Sequence, residues 1–175
     1  MAILNVLNYP DSRLHKIASI VEVVDSEIKA IIKDMTETMY AAPGIGLAAT
    51  QVDFHKRIII IDISEKQDNL IVLINPEILR TDGFQESEEG CLSVPGIYEK
   101  VKRASLIKVK ALNIKGEVFE LEVDGKISIC IQHEMDHLMG KVFVEYLSPL
   151  KKNRIKSKMI KRNKKSVAIQ IEHEK

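Results

Sequence analysis

Two histidines four residues apart, with a glutamate directly after the first, are the residues of this 175-residue chain best suited to chemistry: His133-Glu134-Met135-Asp136-His137. On a helix, positions i and i+4 share a face, so both imidazoles reach a single ion. Glu134, beside the first histidine, is placed to contact a metal-bound water rather than replace it. This is the pattern of a metal-dependent hydrolase with Glu134 as general acid and base. Five residues with three fixed also recur by chance, as two ordinary histidines on a helix surface. The apolar neighbours Ile127, Ile129, Ile131 and Leu138 speak against that, because charged groups there would be costly without a partner.

Two histidines leave a tetrahedral ion one protein ligand short. In the longer HExxHxxGxxH pattern the third ligand stands six residues after the second histidine, where this chain has Phe143. Glu145, eight residues after His137, is one candidate. Cys91 is the other, presented by the polar, glycine-containing turn Glu89-Gly90-Cys91-Leu92-Ser93-Val94-Pro95. A free cysteine is usually a small buried apolar residue, and Cys130 reads that way. His15, His55 and His173 belong to no motif and are expected to face solvent.

The elements that must position these groups follow from periodicity. Asp25 or Ser26 caps a helix with Ile28, Ile31, Ile32, Met35 and Met39 on one face, ended by Pro43 and Gly44. A glycine-rich turn through Gly46 follows. Strands are expected at Arg57–Ile63 and Leu70–Asn75, the second closed by Pro76. Ser105–Asn113 and Glu117–Asp124 flank the turn Ile114-Lys115-Gly116 as a hairpin. Lys126–Met139 reads as a buried helix stopped by Gly140, Lys141–Tyr146 as a short strand, and Ser148-Pro149 as the start of a basic C-terminal helix. Strands and helices mix without regular alternation, which predicts an α+β fold: mixed or antiparallel sheets around a central HExxH-bearing helix.

Composition narrows the class. The net charge of +1 hides an asymmetry: residues 1–150 carry 16 Lys/Arg against 23 Asp/Glu, and residues 151–175 carry 10 against 2. The stretch 151–165 has nine basic residues and no acid, so it is either a solvated helix face or a contact for RNA phosphates. The longest apolar runs are far too short to cross a bilayer, so no membrane partner is expected. Met1 to Tyr9 lacks the basic and apolar regions of an export signal, and only Cys91 and Cys130 are present. A reducing, cytoplasmic setting is therefore expected.

Three ordered motifs go further than HExxH alone. Gly44-Ile45-Gly46-Leu47-Ala48-Ala49-Thr50-Gln51, Glu89-Gly90-Cys91-Leu92-Ser93 and Gln132-His133-Glu134-Met135-Asp136-His137 resemble the three motifs of peptide deformylases. The resemblance runs from Leu7-Asn8-Tyr9-Pro10 to the basic end. It implies a catalytic body over 1–150, with 151–175 as a basic helix or tail of the same domain. It implies one divalent ion on Cys91, His133 and His137 with water as fourth ligand, and Glu134 as general base and acid. Gln51, through its amide, and Leu92, through its backbone N–H, are implied oxyanion donors. A thiolate in the set suits Fe(II), taken as the native ion, as well as Zn(II), Ni(II) or Co(II). The implied substrates are N-formyl-methionyl nascent peptides, which lose formate. The backbone at Ile45 and Gly46 would pair with the peptide as an added strand, and Gly44, Ile45, Tyr98, Ile129, Cys130 and His133 would line a methionine pocket. Glu89 is expected to pair with Arg103 and brace the Cys91 turn, while Asp136 would orient a ligand or a basic residue. Some relatives of this kind dock on the ribosome by a C-terminal helix, a use open to the basic tail here. Two competing readings remain: an HExxH metallopeptidase with Glu145 as third ligand, and a non-enzymatic ribosome-binding protein with a structural metal site.

Overall fold

The computed structural model describes the fold of residues 2–173, with side chains to Val167. The His173 side chain lies outside the described residues. Strands β1 (Gly46–Ala48), β2 (Ile58–Ile61), β3 (Ile71–Asp82), β6 (Leu106–Leu112) and β7 (Val118–Asp124) form an antiparallel sheet in the order β1-β2-β3-β6-β7. A second sheet is the antiparallel pair β4 (Gln85–Cys91) and β5 (Val94–Arg103). Helices α1 (Ser26–Ala41), α2 (Gly125–Leu138) and α3 (Pro149–His173) complete the α+β fold. No helix among the described residues is long and apolar enough to cross a membrane.

The four isoleucines of β2 are fully buried because this strand is covered on both faces. Ile59 and Ile61 pack with Leu73, Ile107 and Val109 against Ile131 and Leu138 of α2. Ile58 and Ile60 point the other way, onto Ile28, Ile32, Met35 and Met39 of α1. Burying each such side chain is worth roughly 1.5–3 kcal/mol, so the Ile-rich face of α2 is anchored firmly. Asp25 caps α1 by accepting the Ile28 N–H at 2.9 Å. A third cluster joins Val94, Ile97 and Val101 of β5 to Leu7, Leu14, Phe143, Ile155 and Met159. Through Ile155 and Met159 the basic α3 is packed on the body, and Arg162 also donates to the Pro95 carbonyl at 3.2 Å.

Several local expectations change. The glycine-rich turn is in part strand β1. Pro76 does not end β3: the strand passes it through an irregularity between Ile74 and Glu77. Asn75, at φ +51°, replaces lost ladder bonds by gripping the backbone of Val21, donor and acceptor both at 2.8 Å. Lys141–Tyr146 holds a 3-10 turn at Phe143–Tyr146 rather than a strand. Val142, Phe143 and Val144 are all buried, and such an unbroken apolar run carries no period. Gly140 does stop α2, at φ +73°, where a Cβ would lie 2.4 Å from the His15 carbonyl oxygen. His55 is half-buried rather than solvent-facing, with its Nε2 3.0 Å from Asp53.

Candidate active site

Helix α2 presents Lys126, Ile129, Cys130, His133 and Glu134 to a cleft of about 770 Å³. These offsets trace one helical face. The hairpin β4–β5 closes the far side, and its two-residue turn Leu92-Ser93 places Cys91 over α2. Cys91 Sγ is 3.3 Å from His137 Nε2, and the ligand atoms of Cys91, His133 and His137 lie within 4.8 Å of one another. A thiol and two imidazoles converging in this way form a donor set suited to a borderline divalent ion. Glu145 is elsewhere: its carboxylate is solvent-accessible and 3.4 Å from His15 Nδ1. It cannot be the third ligand without leaving that position.

Of the two histidines, His133 is held by other side chains, whereas His137 Nδ1 is buried with no partner among the described residues. His133 Nδ1 is 2.8 Å from Glu89 Oε2, which leaves Nε2 to face Cys91 and His137. Glu89 accepts two further bonds from Arg103, at 2.7 and 2.9 Å. Arg103 also reaches Asp136 at 2.5 Å, and its guanidinium lies 4.8 Å from the centre of the Tyr146 ring. Tyr146 in turn donates to Asp136 at 2.8 Å. The expected Glu89–Arg103 pair is therefore present, and Asp136 orients a basic residue rather than a ligand. Burial alone would raise the Glu89 pKa, but hydrogen bonds from Arg103 and His133 outweigh it and hold the carboxyl at about 2. Burial likewise opposes the His133 imidazolium, yet its bonds to Cys91 and Glu89 raise it well above its ordinary value. Burial drives His137 well below its own, with the charges of His133 and Arg103 adding to that.

Glu134 is 4% exposed, and its Oε2 has no partner among the described residues. Burial pushes its pKa up to about 7, against the pull of His133. A carboxylate so poised, with one oxygen unused beside three convergent ligands, suits a group that takes up and returns a proton. Gly46 makes room for it: a Cβ there would stand 2.6 Å from Glu134 Oε1 and 2.8 Å from Cys130 Sγ.

Gln51 is locked by both ends of its amide. Its Oε1 accepts the Ala48 N–H at 2.8 Å, and its Nε2 donates to Ser93 Oγ at 3.0 Å and lies 3.5 Å from Cys91 Sγ. Leu92 lies in the adjacent turn, with its side chain against Gly44. Gly44, Ile45, Gly46, Tyr98, Ile129, Cys130 and His133 all line the cleft, as expected. The Ile45 carbonyl accepts the Asp62 N–H at 2.9 Å and lies 3.7 Å from Cys130 Sγ. Sequence reasoning missed Ser93, Ser87 and Lys126. Helical spacing from His133 would have found Lys126, whereas the two serines depend on a hairpin whose strands carry little apolar pattern.

Comparison with known proteins identifies the family. The family model described as polypeptide deformylase matches residues 3–153. The chain is similar to peptide deformylase 2 of Nitrosomonas europaea, 61% identical over 168 residues that cover 96% of this chain and 91% of that one. Among solved structures it is similar to a peptide deformylase from Legionella pneumophila, at TM-score 0.91 and 46% identity, covering 95% of this chain and 98% of that one. It also resembles a peptide deformylase from Ehrlichia chaffeensis solved with actinonin, at TM-score 0.89 and 37% identity, covering 93% and 98%. A match over most of the chain in sequence and in fold makes this chain a member of the polypeptide deformylase family.

Proposed function

We propose that this enzyme removes the formyl group from N-formyl-methionyl nascent peptides, releasing formate, with one divalent ion on Cys91, His133 and His137. The observation that carries the reading is the convergence of those three ligands beside the buried, half-unpartnered Glu134 carboxylate. The ion, when bound, would act as a Lewis acid on water and on the formyl carbonyl. Glu134 accepts a proton from the attacking water and delivers it to the amide nitrogen as the C–N bond breaks. Gln51 Nε2 and the Leu92 N–H bind the oxygen on which charge develops, an effect worth a few kcal/mol per donor. The peptide lies as an added strand between β1, an edge strand, and β4. Fe(II) is the native ion in this reading, and the cytoplasm the site of action.

The third ligand gives a direct test. Cys91→Ser lowers bound metal, measured by elemental analysis after dialysis, whereas Glu145→Gln leaves it at one ion per chain. Loss of metal in the Glu145 variant alone would favour a peptidase-type site instead.

The basic helix α3 contacts ribosomal RNA phosphates in this reading. Deleting residues 151–175 would also strip buried Ile155 and Met159 from the core, so charge is the better variable. Replacing exposed Lys156, Lys161 and Lys164 with glutamine weakens co-sedimentation with ribosomes, as does raised salt. Unchanged co-sedimentation would leave α3 as a solvated face.

A further inference from the structure

We infer that the side-chain pocket of the cleft ends in two hydrogen-bond donors, the Lys126 ammonium and the Ser87 hydroxyl, and therefore accepts an N-formylated residue of methionine length whose side chain terminates in a neutral acceptor, with methionine sulfoxide as the representative. This rests on the formyl-peptide reading above and specifies the substrate class of that site.

Two contacts fix how β4 runs along α2. Gln85 Nε2 donates to the Gly125 carbonyl at 3.2 Å, at the start of the helix. Glu89 meets His133 two turns later. Residues 85, 87 and 89 share one face of the strand, so Ser87 falls between these anchors, opposite the turn that carries Lys126 and Ile129. All three line the cleft. Lys126 stands seven residues before His133, which is about 10.5 Å along the helix axis. The wall between them is Ile129 and Cys130, apolar and buried or half-buried. The pocket is thus apolar along its length and polar at its end, where Ser87 is half-buried and Lys126 also reaches solvent.

Lys126 joins none of the ion pairs among the described residues. Its charge is felt inside the pocket, where it pulls down a Cys130 pKa that burial and the carboxylates of Glu134 and Glu89 raise. An S=O group taken into an apolar pocket without a donor is penalised. Lys126 and Ser87 supply that donor here. The buried carboxylates of Glu89 and Glu134 also line the cleft and disfavour an anionic side chain, which leaves a neutral acceptor as the better fit. Methionine sulfoxide has the length of methionine and forms by oxidation of it.

The test compares kcat/KM for formate release from formyl-methionyl, formyl-norleucyl and formyl-methionine-sulfoxide tripeptides of otherwise identical sequence. The wild type cleaves all three. Lys126→Leu lowers the ratio of sulfoxide to norleucine by about tenfold, the scale of one hydrogen bond to a charged donor, and Lys126→Arg restores it. A ratio within twofold of wild type in Lys126→Leu would overturn the inference, as would a wild type that cleaves the methionyl peptide and not the sulfoxide. Formate from none of the three would instead overturn the deformylase reading, and this inference with it.

Discussion

Glu134→Gln is expected to lower kcat/KM for a formyl-methionyl peptide by about 10³-fold, within the range of acid–base contributions, and to leave the metal content of the protein unchanged. The loss corresponds to about 4 kcal/mol of transition-state stabilisation. Glutamine has the shape of glutamate, so a side chain only 4% exposed is replaced without a cavity. What it removes is the proton-accepting carboxylate whose Oε2 has no partner among the described residues. The three ligand atoms are untouched, so metal analysis on the same sample separates chemistry from binding. A fall of less than tenfold would mean that Glu134 does not carry the proton.

The second large effect concerns stability. Arg103→Leu is expected to destabilise the fold by about 3–5 kcal/mol, because it strands the buried Glu89 carboxylate and the half-buried Asp136 that Arg103 now neutralises. Glu89 and Arg103 side chains are 4% and 5% exposed, so solvent screening relieves little of this. The acid limb reports the same network. The Glu89 carboxyl is held at about 2 rather than its ordinary 4.5, so its contribution is fully present above about pH 4.5 and is lost as pH falls toward 2. A shift of that size is worth about 3 kcal/mol, in line with the mutational figure. Urea unfolding at pH 7, 4 and 3 therefore shows wild-type stability dropping in acid, and Arg103→Leu dropping less from its lower start. Equal stability of the two proteins at pH 7 would refute the role given to the pair. Glu89→Gln should in addition weaken metal binding by about 10- to 100-fold, since His133 exchanges its charged acceptor for a neutral amide.

The parts of this protein that were legible in the sequence are those with a period. Helix α1 shows its buried stripe and Asp25 cap, α2 its His133–His137 spacing, and β6–β7 their alternation around Gly116, which sits at φ +80°. The sheet carrying Cys91 had no such signature. Strand β4 reads Gln-Glu-Ser-Glu-Glu-Gly-Cys, and what it buries is Glu89, a charge made tolerable only by Arg103 and His133. A burial pattern built from ion pairs is invisible to any search for apolar alternation. Strand β5 is interrupted by Pro95 and Gly96 and mixes Lys and Glu with its three buried apolar residues. The meeting of Cys91 with His137, 46 residues apart, came from motif resemblance rather than from spacing. Ser87 stayed hidden because its place in the cleft depends on how that polar hairpin lies on α2.

In the proposed reaction the Cys91, His133 and His137 cluster and Glu134 together hydrolyse a formyl amide. It is tested most directly by incubating anaerobically purified protein with a formyl-methionyl peptide and measuring formate, free N-terminal methionine and bound metal on one sample. Formate and deformylated peptide are expected in equal amounts, at a rate proportional to metal occupancy. No formate at full occupancy with Fe(II), Zn(II), Ni(II) or Co(II) would contradict it.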